Sequence, residues 1–309
     1  YIIFDSVNRK PYSFIGIVRL LFHFITHRYD IVHANAGIVP CVLAKLLFFP
    51  LSIEHKHGLD FTHEKRERMK GLILAYEKAK KYFADFTLTG CESDRRFLVE
   101  KLGYKPSGVI TLYNGIDNTF ENENGKIRDD EIVIGTIGRL AYQKAQEYFI
   151  GMAALILEKR KELKIRFDIW GEGEEKENYK KLIKSSRLEN NVFLFGYAYD
   201  RKSVYESLDV FVLTSRYEGI PFVILEAMSA GVPVISTDAG GINEIIRDCD
   251  NGILVPRGDV DALANAVLKL VDDKQLTYSL RKKAFNDYKN YWSFDKTILN
   301  LGKIYSLKN

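Results

Sequence analysis

Residues 208–228 read Leu208-Asp209-Val210-Phe211-Val212-Leu213-Thr214-Ser215-Arg216-Tyr217-Glu218-Gly219-Ile220-Pro221-Phe222-Val223-Ile224-Leu225-Glu226-Ala227-Met228. The apolar run from Val210 to Leu213 has strand character and empties into a polar loop ending in Glu218-Gly219. Pro221 follows at the expected first helical position, where its missing N–H is an orphan in any case. The helix beyond carries a second carboxylate, Glu226, among Val223, Ile224, Leu225, Ala227 and Met228; an acid in so apolar a helix needs a partner. A strand running into a helix is a βα unit, and the free amides at the helix start favour an anion.

Working outward, the same alternation recurs along the chain and predicts α/β architecture with parallel sheets. In the first half, Phe14, Val18, Leu21, Phe22 and Ile25 keep helical spacing. Strands are expected from Ile31-Val32, at Ser52–His55, at Phe86–Thr89 and at Val109–Leu112. The polar, aromatic-poor stretch Asn118–Asp130 reads as a linker. A second series follows at Ile132–Ile137, Arg166–Trp170, Val192–Phe195, Val210–Leu213 and Val232–Ser236, with a helix over Val260–Val271. The expected organisation is two Rossmann-like, doubly wound domains, residues 1–127 and 128–290, with ligand in a cleft at the carboxyl ends of the strands.

Bulk properties agree with a globular chain of two domains. Its 309 residues are 46% hydrophobic and 28% charged, as in ordinary soluble proteins. No apolar run approaches the roughly 18 residues that span a bilayer, and no secretory signal is expected at Tyr1-Ile2-Ile3-Phe4-Asp5. Cys41, Cys91 and Cys249 are odd in number and lack metal-ligand spacing, which points to reduced thiols and a cytoplasmic setting. Residues 1–127 hold 18 Lys+Arg against 14 Asp+Glu, the remainder 27 of each, so the whole excess of +4 lies in the first half. That half could lie against anionic lipid headgroups, although ordinary surface lysines fit equally well. The excess is too small, and without a basic-aromatic stripe, for a nucleic-acid binder.

Four constellations fall at predicted strand ends. Gly135-Thr136-Ile137-Gly138-Arg139, with Lys144 beyond, offers close backbone approach, a guanidinium fork and a mobile ammonium, a set able to share a diphosphate. A glycine turn with two solvated cations fits the same residues. Trp170-Gly171-Glu172-Gly173 is a weak Gly-x-Gly signal that a plain turn also explains, and it lacks the third glycine of a dinucleotide fingerprint. Glu218 and Glu226 suggest a glycosidase pair at first sight. Their placement, one before the helix and one inside it, suits acceptance of hydroxyl hydrogen bonds beside a phosphate better. In the first half, His33, His55 and His57 lie at strand ends, where a histidine can donate to substrate near neutral pH. Asp248-Cys249-Asp250 imitates a metal triplet but reads as turn chemistry before Asn251-Gly252.

As an ordered series, DIVHANAG, EHKHGLDF, YNGID, IGTIGRLAYQK, WGEGEE, FLFGY, the Glu-x7-Glu block, VPVISTDAGGINEII and NGILVPRGD resemble the retaining nucleotide-sugar glycosyltransferases of the GT-B fold, family 4. The resemblance implies that Arg139 and Lys144 hold the donor diphosphate, and that Glu218 with the backbone of Gly219, Ile220, Pro221 and Phe222 grips the transferred sugar. It further implies that Glu226 accepts from the ribose hydroxyls, that Gly171 and Tyr197 lie near the base, and that His57 is the active-site histidine beside the donor sugar. Residues 291–309 resemble a C-terminal helix crossing back to the first domain. The family's first strand and glycine-rich loop have no counterpart, so the chain is expected to open partway into its first domain.

The implied activity is transfer of a hexose-type sugar from a nucleoside-diphosphate sugar to a glycan or lipid-linked acceptor, with retention of configuration and without cofactor or metal. Surface polysaccharide or glycolipid synthesis at the inner face of the membrane is the implied setting. The competing expectations are an inert nucleotide-sugar-binding subunit and a GT-B-type epimerase or hydrolase.

Overall fold

A computed structural model describes residues 14–35, 37–56, 71–122 and 131–308. The chain divides into two compact units, Tyr1–Leu112 with Asn300–Asn309, and Tyr113–Leu299.

The first unit carries helix α1 (Phe14–Thr26), strand β1 (Ile31–Asn35), α2 (Val39–Leu46), β2 (Leu51–Lys56), α3 (Leu72–Lys80), β3 (Phe86–Thr89), α4 (Glu92–Glu100) and β4 (Val109–Thr111). The strands pair in parallel in the order β1-β2-β3-β4. Parallel neighbours require crossovers, and the helices supply them. Leu51, Ile53, Leu88, Leu112 and Ile304 form one core cluster, and Phe24, Val32, Leu43, Ala44 and Phe49 another.

Strand β2 is buried along its whole length although four of its six residues are polar. Burial of such groups requires partners. Ser52 donates from both N and Oγ to Asp85 Oδ2, at 2.9 and 3.0 Å. Lys56 Nζ lies 3.3 Å from Glu54 and 3.2 Å from Glu77, while Lys80 pairs with Glu77 at 2.6 Å. The result is a neutral cluster of two acids and two ammonium groups. Burial, reinforced by the negative charge of Glu54, pushes the Cys41 thiol up to about 12. That cysteine is inert at neutral pH.

Helix α1 is apolar on two faces. Phe24 is buried, with Ile17, Leu20 and Leu21 packed beside it, whereas Phe14, Ile15, Val18, Phe22 and Ile25 are exposed. Leu46 and Phe48, at the end of α2, are exposed as well.

The second unit is a six-stranded, all-parallel sheet of β5 (Ile132–Ile137), β6 (Ile165–Trp170), β7 (Val192–Gly196), β8 (Val210–Leu213), β9 (Val234–Thr237) and β10 (Ile253–Val255). Its helices are α5 (Gln146–Lys159), α6 (Lys176–Ser185), α7 (Arg201–Ser207), α8 (Phe222–Ser229), α9 (Val260–Asp272) and α10 (Lys274–Asp287). The order β10-β9-β8-β5-β6-β7 steps outward one way through β5, β6 and β7, and the other way through β8, β9 and β10. The chain therefore reverses direction between β5 and β8, where a doubly wound sheet opens a crevice at its carboxyl edge. Alternate residues feed two cores. Ile134, Phe167, Val212 and Ile235 face Phe149 and Leu263, while Val133, Phe211 and Val234 face Tyr205, Ile224 and Tyr288.

Sequence periodicity located the strands of both units except β10, a three-residue run closed in by Asn251-Gly252 before it and Pro256 after it. The predicted boundary needs correction. The change of unit comes at Leu112/Tyr113, before the polar stretch read as a linker, because residues 113–122 are tied to the second unit. Ile116 N donates to Trp292 O and Phe294 N to Ile116 O, at 3.1 and 2.7 Å, and Tyr288 Oη donates to Asp117 O at 3.0 Å. Asn122 N donates to Ser229 O. Residues 123–130 of the predicted linker lie outside the described residues. Helix α11 (Phe294–Tyr305) starts within the second unit, and its end from Asn300 belongs to the first.

Candidate functional site

The loops after β5 and β8 meet because those strands are neighbours, in register at Ile134–Val210 and Gly135–Phe211. Gly135 itself faces no open space. A Cβ there would stand 2.4 Å from Leu208 Cδ2, so this glycine makes room for a core leucine and not for a ligand. Beyond β5, Lys144 is held by its backbone. Ala145 takes a left-handed conformation (φ 52°) at the start of α5, and Thr214 Oγ1 donates to the carbonyls of Lys144 and Ala145, both at 3.0 Å.

So fixed, Lys144 Nζ reaches Glu218 Oε1 at 2.6 Å. Ser215 Oγ donates to the same oxygen at 2.6 Å, and Gln143 Nε2 donates to Tyr217 O at 3.0 Å. The Glu218 carbonyl in turn accepts from Gly241 N at 3.2 Å. Gly240 (φ 67°) permits this approach, since a Cβ at that position would lie 2.1 Å from the Glu218 oxygen. Arg139 stands on the same loop but largely in solvent, with Glu174 at 3.7 Å. Helix α8 begins one residue later than its sequence suggests: Pro221 caps it in an extended conformation, and Gly219 and Ile220 are partly exposed just ahead.

The loops after β5, β6 and β7 are stitched backbone to backbone. Gly138 N donates to Trp170 O, Leu140 N to Glu172 O and Gly171 N to Gly196 O, at 2.9, 2.9 and 2.6 Å. The spacing Gly171-x-Gly173 serves this seam: a Cβ on Gly171 (φ 153°) would lie 1.9 Å from Gly138 O, and one on Gly173 2.2 Å from Leu140 O. Beside the seam Trp170 stacks on Phe195 with centroids 4.4 Å apart, and Tyr197 is exposed against Tyr199.

Glu226 belongs to a different network from Glu218. It is almost fully buried, pairing with Arg201 Nη1 at 2.5 Å and accepting from Tyr205 Oη at 2.9 Å. Burial raises its carboxyl above the usual range; the Arg201 charge and the Tyr205 hydrogen bond oppose that rise, and Asp117 adds to it. A cavity of about 370 Å³ opens beside it, lined among others by Asp117, Phe120, Arg201 and Phe222. The partner demanded by an acid in an apolar helix is therefore Arg201, a residue that no local pattern singled out. Gln143, Ser215 and Gly240 escaped notice for the same reason, although the doubled glycine Gly240-Gly241 after a strand was a legible signal.

In the first unit His33 and His55 stack with centroids 5.4 Å apart, and His33 Nδ1 lies 2.7 Å from Tyr305 Oη. His57 lies outside the described residues. Asp248-Cys249-Asp250 is a turn, with Cys249 left-handed and Asp248 Oδ1 accepting from Leu254 N.

Comparison with known proteins places this geometry in a family. Residues 117–287 match the profile of "Glycosyl transferases group 1" and residues 2–120 that of "Glycosyltransferase Family 4". The chain is 28% identical over 317 residues to the Escherichia coli UDP-Gal:alpha-D-GlcNAc-diphosphoundecaprenol alpha-1,3-galactosyltransferase, covering 97% of this chain and 80% of that one. It is 29% identical to the Bacillus subtilis (strain 168) putative glycosyltransferase EpsD, covering 97% and 83%. Among solved structures, Anabaena Alr3699/HepE in complex with UDP superposes with a TM-score of 0.83 at 21% identity, covering 94% and 82%. The chain belongs to the group 1 glycosyl transferases. It is a glycosyltransferase with the family-4-like GT-B fold.

The seam yields a prediction. Gly171→Ala is expected to destabilise the protein by about 2 kcal/mol or more, because the new methyl collides with a carbonyl at a φ that alanine resists. Urea denaturation followed by far-UV circular dichroism measures it; a variant as stable as wild type would contradict the reading.

Proposed function

We propose that this chain transfers a hexose-type sugar from a nucleoside-diphosphate sugar to a glycan or lipid-linked acceptor with retention at the anomeric carbon, in surface polysaccharide or glycolipid synthesis. The observation that carries this reading is the Lys144–Glu218 pair at the β5/β8 reversal, directly ahead of the α8 N-terminus. One basic and one acidic group, side by side, suit a ligand that is anionic at one end and hydroxylated at the other. The relatives support it: the galactosyltransferase is named for a UDP-sugar donor, a diphosphoundecaprenol-linked acceptor and an alpha linkage.

In this reading Glu218 accepts from hydroxyls of the transferred sugar. An ammonium has three donors. Glu218 engages one of Lys144's, and the other two serve phosphate oxygens. The guanidinium of Arg139, exposed beside Glu174, closes on the diphosphate, and the amides of Gly219 to Phe222 add the positive end of α8. As the glycosidic bond breaks, charge accumulates on the leaving diphosphate, and these fixed groups stabilise it without a bound metal. Gly171 and Tyr197 are assigned to the base and Glu226 to the ribose. His57 keeps its active-site role on the resemblance alone.

The same proposal includes peripheral contact with a membrane whose headgroups are anionic. Among the described residues no helix is long and apolar enough to cross a bilayer. The exposed Phe14, Ile15, Val18, Phe22 and Ile25 of α1, with Arg19 beside them, have the composition of a surface that lies on one.

Three measurements test these statements. Arg139→Ala and Lys144→Ala are each expected to lower turnover about 100-fold, as loss of a preorganised charge does; near-normal kinetics in both would refute the assignment. Activity is expected to survive EDTA, and abolition by the chelator would require a metal. In sedimentation assays the protein is expected to follow phosphatidylglycerol vesicles over phosphatidylcholine ones, and Phe22→Ser to reduce the bound fraction severalfold. Equal partition to both vesicle types would remove the membrane from the proposal.

A further inference from the structure

We propose that Arg201 and Tyr205 are positioning residues for Glu226, holding its carboxylate in one orientation so that it can receive the ribose hydroxyls of the donor nucleotide. The inference rests on the functional reading above and adds to it the two groups that make Glu226 competent.

The geometry is specific. Helices α7 and α8 pack so that Arg201 and Tyr205, one turn apart on α7, both reach the single acid of α8. Arg201 Nη1 engages Oε1 at 2.5 Å and Tyr205 Oη engages Oε2 at 2.9 Å, so each carboxylate oxygen has a separate anchor. A carboxylate has about four acceptor positions. Two are thus occupied, and two are left for a ligand. Both anchors are themselves restrained. The guanidinium carbon of Arg201 lies 5.8 Å from the centroid of the Phe120 ring, and Tyr205 is wholly buried, with its hydroxyl also 3.1 Å from Val223 O. The cavity bounded by Asp117, Phe120, Arg201, Phe222 and Glu226 gives the carboxylate an open side. Its volume of about 370 Å³ exceeds what one pentose ring needs, and its aromatic and acidic lining residues suit a polyhydroxylated group.

Electrostatics explains why Glu226 needs both anchors. Burial favours the protonated acid, and Asp117 favours it further; Arg201 and the Tyr205 hydroxyl are the groups that act the other way. Removing Arg201 therefore moves protonation of Glu226 to higher pH. A protonated carboxyl offers fewer acceptor positions, so nucleotide binding should weaken as pH falls, more steeply than in wild type.

The test is calorimetric titration of the full chain with UDP, with GDP and ADP tried as alternates, and with the 2′,3′-dideoxy analogue of whichever binds. Wild type is expected to prefer the ribose form about tenfold. Arg201→Ala should erase that preference while leaving dideoxynucleotide affinity within about twofold, and Arg201→Lys should restore part of it. Tyr205→Phe should show a smaller loss of the same kind. As pH is lowered the ratio of Arg201→Ala to wild-type Kd should grow; titration of the nucleotide phosphate is common to both proteins and cancels. Equal loss of both ligands in Arg201→Ala and Arg201→Lys, or loss of neither, overturns the positioning role while leaving the transferase reading intact. Failure of wild type to bind any of the three nucleotides overturns the functional reading, and this proposal with it.

Discussion

The adjacency of β5 and β8 is the constraint on which the second unit depends. These strands are distant in sequence yet pair in register, because the chain winds outward from β5 in one direction and later returns to build on its other side. At that point two loops leave the same edge of the sheet, and the ion pair between Lys144 and Glu218 joins them at 2.6 Å. Such a half-buried pair contributes little net stability relative to apolar groups of the same size, whereas breaking it strands a charge at a cost of about 3–5 kcal/mol. The pair therefore defines the site more than it stabilises the fold. Thr214, Ser215, Gln143 and Gly240 surround it, each fixing a backbone or an oxygen that it needs.

The two acids of the Glu-x7-Glu block illustrate how local spacing and tertiary environment differ in what they decide. Both belong to one βα unit, but Glu218 lies ahead of the helix against the β5 loop, while Glu226 lies inside it against α7. The first is neutralised by a lysine that retains two further donors. The second is buried, and among the described residues Arg201 and Tyr205 counter the protonation that burial favours. A similar balance occurs in the first unit, where Glu54, Lys56, Glu77 and Lys80 enclose one another beneath β2. There the charges cancel in place, and the network acts as packing.

Glycines carry much of the positional information. Gly171 and Gly173 allow the β6 loop to touch the β5 loop, and Gly240 lets its turn sit on the Glu218 carbonyl. Gly135 serves the core instead of a ligand, because a side chain there would collide with Leu208. A Gly-rich pattern states that backbones approach closely; whether the neighbour is a ligand or another strand depends on the packing around it.

By itself the sequence determined the α/β class, the strands except β10, and the residue types gathered at the β5 and β8 ends. These follow from short-range rules: alternation of apolar runs with helical spacing, a proline at a helix start, and an ordered series of motifs. The tertiary structure decided the rest. It moved the boundary to Leu112/Tyr113, because residues 113–122 hydrogen-bond to the chain's far end. It paired Lys144 with Glu218 across a sheet reversal, and it supplied Arg201 as the partner of Glu226. Each of these rests on contacts between segments far apart in the chain, and the strength of a charge or the room for a side chain is set by the burial those contacts create.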